Sequence, residues 1–227
     1  MRAAYDACEF HVLYHAVNAF CTVEMSAFYL DILKDRVYTS KKDSFDRRAG
    51  QTVMYEVLDA LVRLIAPVIS FTADEIWGCM PGEREASVHL AAFPAMRPEW
   101  KNDELVARWE RIQKVRGDVS KALEQARVAK TIGHSLDAAV ALSADADLQN
   151  FLGEYVAELA SIFIVSRVEL VGALGDDAYI GEGVPGLKVR VTAAPGAKCE
   201  RCWCYSEELG TSAEHPAICP KCTAAVQ

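Results

Sequence analysis

The sequence predicts a mainly α chain: a helical bundle, then a small α+β unit, then a four-cysteine ribbon at the C-terminal end. Three observations predict it. Apolar residues recur at helical spacing from Tyr5 to Ala126. The character changes after Gly133 to short strand-like runs alternating with a helical one. Five of the eight cysteines crowd into the last thirty residues.

Each element follows from its own spacing. From Arg2 to about Phe20, Tyr5, Cys8, Val12, Ala16 and Phe20 mark one helix, and Val23 to Val37 continues as another. The chain enters helix directly at Met1 with no cap or leader, as expected of a piece of a longer protein. Met54, Leu58, Leu61 and Ile65 fall at i, i+4, i+7 and i+11 and define a third helix that Pro67 kinks or ends. Thr72 and Glu75 have the spacing of a capping box, which predicts a short helix from Thr72 to Cys79, stopped by Pro81-Gly82. Val88 to Phe93 reads as an extended piece, and Pro94 and Pro98 precede a long helix from about Asp103 to Ala129. Its stripe is Leu105, Trp109, Ile112, Val115, Val119, Leu123 and Ala126.

Beyond Gly133, which reads as a helix C-cap, Leu136–Leu142 is expected as a strand and Asp147–Ala160 as a helix. Ile162–Val171 and Leu187–Val191 are expected as further strands. Gly, Pro and Asp fill the connection from Gly172 to Gly186, and the cysteine segment follows Pro195-Gly196. The expected domains are 1–96 for the bundle, 97–195 for the long helix with the α+β unit, and 196–227 for the ribbon.

With 227 residues, 52% of them hydrophobic, the chain can bury a real core. Its formal charge of −8 excludes a generally basic nucleic-acid coat, so any RNA contact must be local. No uninterrupted apolar run approaches the roughly 20 residues of a membrane span, and the start lacks a signal-peptide layout. A cytoplasmic protein without membrane association is expected. Cys8, Cys21 and Cys79 stand singly in apolar helical pattern and read as reduced core thiols.

Cys199-x2-Cys202 and Cys219-x2-Cys222, sixteen residues apart, have the spacing of two metal-binding turns. A two-residue gap lets one tight turn aim both sulfurs at a single ion, about 2.3 Å away for zinc. Four thiolates fill a tetrahedral site, so one structural zinc is expected and no hydrolysis. Cys204 and His215 are candidate replacement ligands that read better as bystanders.

Between Arg108 and Lys130, seven basic residues (Arg108, Arg111, Lys114, Arg116, Lys121, Arg127, Lys130) face three acids. Two readings stay open for them and for Lys41-Lys42 and Arg47-Arg48: phosphate contacts or a solvated helix face. Trp203, beside Arg201, has two readings also, stacking on an unpaired base or filling the ribbon's small core. Asp74 with Glu75 and His11 with His15 need no catalytic role. The chain has no G-x-x-x-x-G-K loop and no G-x-S-x-G elbow, and no catalytic residue is expected.

Ile65-Ala66-Pro67-Val68-Ile69-Ser70-Phe71-Thr72-Ala73-Asp74-Glu75-Ile76-Trp77 resembles the end of the anticodon-binding helical bundle of class I aminoacyl-tRNA synthetases. Ser26-Ala27-Phe28-Tyr29-Leu30-Asp31-Ile32 with Lys34-Asp35-Arg36, and Lys130 to Ala138, resemble segments of the isoleucyl family. Cys199-x2-Cys202-Trp203 with Cys219-Pro220-x-Cys222 is similar to the zinc ribbon closing its bacterial members. Cys204 departs from that pattern, which often has histidine there. The activation domain, with its HIGH and KMSKS signatures, and the editing domain have no counterpart in these residues.

The resemblance implies the C-terminal region of an isoleucine–tRNA ligase, an enzyme that uses ATP. This piece would recognise the anticodon stem-loop of isoleucine tRNA, would be inactive alone, and would act as a monomer without DNA. Arg47, Arg48 and Lys114 are the expected phosphate contacts, with Arg201 and Trp203 at the RNA beside the ribbon. The alternatives are a DNA-repair glycosylase-like ribbon protein, whose N-terminal proline nucleophile the start Met1-Arg2-Ala3 lacks, or a free-standing zinc-ribbon interaction module.

Overall fold

The computed structural model describes residues 1–227, which form two compact units: Met1–Val37 with Lys42–Lys101, and Tyr38–Lys41 with Asn102–Gln227. The first unit is helical. Helix α1 (Arg2–Asp6) stops at Cys8, which takes a left-handed conformation (φ 58°), and α2 (Phe10–Ala19) starts beyond it. The chain then winds on without a break through a wider π-helical stretch, Phe20–Leu30, into α3 (Asp31–Thr39).

The expected helix boundary near Cys21 is therefore corrected to Cys8. By length and composition, the continuous Phe10–Thr39 helix, which holds an 18-residue stretch of mean hydropathy 1.3, is long and apolar enough to cross a membrane, although polar residues interrupt every run within it. Much of that apolar surface is uncovered, with Tyr14 64% and Val23 58% exposed. The expected core thiols are corrected as well: Cys8 and Cys79 are exposed and Cys21 is half-buried.

Helix α4 (Phe45–Ile65) is capped by Ser44, whose hydroxyl accepts from the Arg47 N–H. Gly50 lets it approach α3 closely, since a Cβ there would lie 2.6 Å from a Leu33 methyl carbon. Helix α5 (Ser70–Cys79) begins one turn earlier in hydrogen bonding than the expected capping box, with the Ala73 N–H donating to the Ile69 carbonyl. Thr72 thus lies inside the first turn and caps nothing. Val62, Ala66, Ala73, Trp77, Met80 and Val88 form the local core. The Trp77 indole donates to the Glu85 carbonyl at 2.8 Å, and Arg84 lies over its ring at 4.5 Å. Val88–Leu90 is one 3₁₀ turn, not a strand.

The second unit is built on α6 (Asp103–Val128), whose N-cap Asn102 accepts from Leu105 N–H at 2.9 Å. Ile112, Val115, Val119, Ala122 and Leu123 are its buried face. The helix ends with Lys130 in the left-handed position (φ 61°) and the Thr131 N–H reaching back to the Ala126 carbonyl. That closing loop is the one expected at Gly133, placed three residues earlier.

Strand β1 (Ala138–Ser143) is followed by α7 (Ala146–Gly153), α8 (Val156–Phe163) and β2 (Arg167–Leu170); β3 (Tyr179–Ile180) and β4 (Lys188–Ala193) complete a sheet ordered β2-β1-β4-β3. β1 and β2 are parallel, with Val140 opposite Val168, and the helices form their crossover; β4 is antiparallel to both β1 and β3. α6 packs on β4 and α8, and Val140, Leu142, Leu159, Ile162 and Val189 are buried in the core of this unit. Ile162, expected to open a strand, belongs to α8 because the left-handed Ile164 (φ 58°) ends the helix only there.

Candidate functional site

Strands β5 (Ala197–Lys198) and β6 (Tyr205–Ser206) pair antiparallel and frame the first cysteine turn. Within it, the Cys199 N–H donates to the Cys204 carbonyl at 2.9 Å and the Trp203 N–H to the Cys199 carbonyl at 2.9 Å. The second pair lies at the start of α9 (Pro220–Val226), where Cys219 is the N-cap residue and proline occupies the first helical position. The local sequence thus supplies two compact turns whose sulfurs face one another.

The sulfurs of Cys199, Cys202, Cys219 and Cys222 all lie within 4.8 Å of one another, and Cys202 and Cys219 approach to 3.7 Å. A tetrahedral ion with Zn–S bonds near 2.3 Å separates its ligands by about 3.8 Å. All four residues are buried, with Leu209, Ile218 and Cys204 packed around them. This donor set fits zinc by geometry and by thiolate chemistry. Cys204 and His215 stand outside the group of four; the Cys204 sulfur is 3.9 Å from the Cys202 carbonyl, and the His215 N–H donates to Ser212.

Burial acts to raise the Cys199 thiol, but the backbone N–H groups of Cys202, Cys219 and Arg201 aimed at its sulfur lower it to about 6. The Cys202 thiol is held high by its hydrogen bond with Cys204 and by burial. Burial likewise raises Cys219 and Cys222. The pocket therefore favours one thiolate and holds the other three as thiols, whose protons a bound cation would displace.

The basic residues of α6 are divided. Arg108 pairs with Glu154 and lies over Tyr155, and Arg111 pairs with Asp147 and lies over Phe151. Arg116 donates to the Ile162 carbonyl, Lys121 pairs with Glu182, and Arg127 pairs with Glu124. These five are engaged by partners within the second unit. Lys114 and Lys130 stay exposed to solvent.

In the first unit Arg47 is half-buried and Arg48 exposed. Arg48, Gln51, Thr52 and Tyr55 line a surface concavity of about 280 Å³. The Tyr55 hydroxyl there accepts from Arg84 at 2.8 Å. Their spacing i, i+3, i+4, i+7 was a readable signal that a reading of Arg48 alone does not use.

Trp203 is 60% exposed and in the left-handed region (φ 66°), so its ring is not the ribbon's core. Arg201, also expected at RNA, instead turns inward: its Nη1 donates to the Thr39 carbonyl at 2.5 Å. Asp74 accepts from Ser87 Oγ at 2.7 Å and from the Val88 N–H at 3.0 Å, a loop-fixing role. The sequence reading missed Asp118, which is 2% exposed and binds the loop before β4.

Residues 1–142 match the family model described as the anticodon-binding domain of tRNA ligase. Residues 196–225 match the zinc finger found in FPG and IleRS. The chain is 66% identical over 99% of its length to the isoleucine–tRNA ligase of Geobacter sulfurreducens, and 56% identical over 97% to that of Syntrophotalea carbinolica. It is 49% identical over 99% to that of Moorella thermoacetica. In each case it spans about a quarter (24–25%) of the relative's length.

Proposed function

Because the chain belongs to the family of anticodon-binding domains of tRNA ligases, we propose that it is the tRNA-recognising, C-terminal region of an isoleucine–tRNA ligase. The observation that carries this is the near-complete match, 97–99% of the chain, to ligases of that name. The anticodon-type helices and the cysteine ribbon also match their families in one sequence, at 1–142 and 196–225. A glycosylase-like reading accounts for the ribbon alone.

In this reading the whole enzyme joins isoleucine to its tRNA with ATP, and the chemistry resides in the three quarters of the relatives' length that this chain does not span. The piece alone is inactive. Its work is positioning: cationic side chains fix the RNA backbone and exposed aromatic or polar groups meet bases. Arg47, Arg48 and Lys114 are the proposed phosphate contacts. Trp203 is the proposed stacking surface, supported by its exposure and by a left-handed backbone that a bulky residue adopts at a cost.

One zinc held by Cys199, Cys202, Cys219 and Cys222 keeps the ribbon folded and does no catalysis. The proposed divisions remain 1–96, 97–195 and 196–227, and the proposed setting is a cytoplasmic monomer bound to isoleucine tRNA. The apolar face of the Phe10–Thr39 helix needs cover for such a monomer, which the remainder of a full-length ligase would supply.

The test is binding of the 227-residue chain to isoleucine tRNA and to a tRNA of another anticodon, at two salt concentrations, with and without zinc. Tighter binding to isoleucine tRNA that weakens on metal removal supports the proposal. Equal, weak binding to both would remove anticodon recognition from this region.

A further inference from the structure

Arg201 lies between two of the four cysteines, within the first cysteine turn, and its guanidinium reaches out of that turn. Nη1 donates to the carbonyl of Thr39 at 2.5 Å, 162 residues earlier in the chain. The same side chain acts to lower the Cys222 thiol, against the burial that raises it. Thr39 is the last residue of α3 and only 6% exposed. The carbonyls of a helix's last turn have no partner within the helix and carry the negative end of its dipole. A buried carbonyl there needs a donor, and Arg201 supplies a charged one.

The cysteine site has a matching need. Four thiolates around a divalent cation carry two net negative charges in a buried pocket, and groups hydrogen-bonded to the ligands set metal affinity and ligand orientation. Arg201 carries a positive charge within the first cysteine turn. Residues Tyr38–Lys41 are grouped with the second unit although the chain on either side of them belongs to the first. The Arg201–Thr39 bond lies within that grouping.

We infer that Arg201 is a positioning residue that joins the cysteine site to the Tyr38–Lys41 segment, so that metal loading orders this segment through one guanidinium. With the metal in place the first cysteine turn is fixed, and the Arg201 guanidinium carried on it holds the Thr39 carbonyl. Without metal the first cysteine turn loosens, Arg201 loses its anchor, and the 38–41 segment frays. The inference concerns the metal-site reading and stands apart from RNA recognition.

The test uses the full 227-residue chain loaded with cobalt(II) or stripped with a chelator, followed by thiolate-to-cobalt absorption and by hydrogen exchange of amides 38–42. In the unsubstituted chain, stripping should abolish protection of 38–42 while leaving α4 and α6 amides slow. Arg201→Met should keep the tetrathiolate spectrum, bind metal about 10- to 100-fold more weakly, and show fast exchange at 38–42 whether loaded or not. Arg201→Lys, whose ammonium lacks the planar fork and the reach of the guanidinium, should keep the metal and recover little of the protection; it also serves if the methionine variant fails to fold.

Metal-dependent protection of 38–42 that survives in either variant would overturn the inference. So would protection in the unsubstituted chain that is indifferent to stripping. A chain that never shows the thiolate spectrum would remove the metal reading itself, an outcome the spectrum separates from failure of the Arg201 link.

Discussion

Asp118, in the middle of α6, grips the N–H of Gly183 with both carboxylate oxygens, at 3.0 and 3.1 Å, and accepts from the neighbouring Glu182 and Val184 N–H groups as well. One buried carboxylate thus organises the loop between β3 and β4. Gly181 is part of the arrangement, since a Cβ there would lie 2.7 Å from the Asp118 carboxylate.

Asp118→Ala should therefore leave several backbone donors without an acceptor and destabilise the chain by about 3 kcal/mol. Asp118→Asn, which keeps one acceptor oxygen, should cost about half as much. Urea unfolding of the two variants checks the order. Equal stability of all three chains would mean that water replaces the carboxylate freely.

Gly196 has φ +88°, and a Cβ at this position would lie 2.3 Å from the Ser206 carbonyl. The obstacle is backbone, which cannot swing aside as a side-chain tip can. Gly196→Ala should force β5 away from β6, add roughly 1–3 kcal/mol of strain, and weaken metal retention by the ribbon. Competition with a chromogenic chelator measures that; unaltered retention would show that the strand pair does not shape the site.

The hydrogen bonds that Asp74 accepts from Ser87 and Val88 hold its carboxyl below the ordinary carboxylate range, against the opposing effect of burial. A group with a depressed folded value contributes stability above its unfolded value, about 3.9, and that stability is lost as pH falls through the folded value. The chain should hold this contribution from neutral pH to about pH 4 and lose it below. Asp74→Asn should be less stable at pH 7 and lack that part of the acid loss. An unchanged acid limb in thermal melts at several pH values would contradict this.

The most legible parts of the chain were those whose signal is local. The stripe from Leu105 to Ala126 places α6 within a residue at each end, because an amphipathic helix against a sheet must repeat its apolar face. The paired cysteines were equally direct, since two-residue gaps bring sulfurs together in one turn. Cys8 ends a helix without glycine or proline to announce it. Strand β3 is two residues long and exists only through its pairing with Lys188 and Val189. The partner of Arg201 lies 162 residues away. Five of the basic side chains on α6 leave open a phosphate face or a solvated helix face until their acidic, carbonyl and aromatic partners are seen.

Removing metal should act on the ribbon first. The strands β5 and β6 are two residues each and the ribbon's core is chiefly the four cysteines, so little else holds it. Structural zinc contributes on the order of 10–16 kcal/mol in small domains. Chelation should therefore expose residues 196–227 to protease while α6 and the sheet persist. Cys202→Ser and Cys222→Ser should reproduce the effect, and Cys204→Ser should not, since its sulfur stands outside the cluster. Loss of metal in Cys204→Ser would enlarge the ligand set.

Arg48 and Lys114 are exposed, whereas Arg108, Arg111, Arg116, Lys121 and Arg127 are engaged within the chain. Free cations release counterions from RNA when they bind phosphate, and the salt dependence of affinity counts them. Arg48→Ala and Lys114→Ala should each weaken tRNA binding and lower the slope of log K against log salt by about 0.7–0.9. Arg111→Ala should instead lower stability with little change in slope. Trp203→Ala removes a neutral stacking face, so it should cost about 1–3 kcal/mol of binding at every salt concentration and leave the slope alone. A slope unchanged by both cationic substitutions would move the phosphate contacts elsewhere. A slope changed by Trp203→Ala would mean that the tryptophan holds a neighbouring cation in place rather than a base.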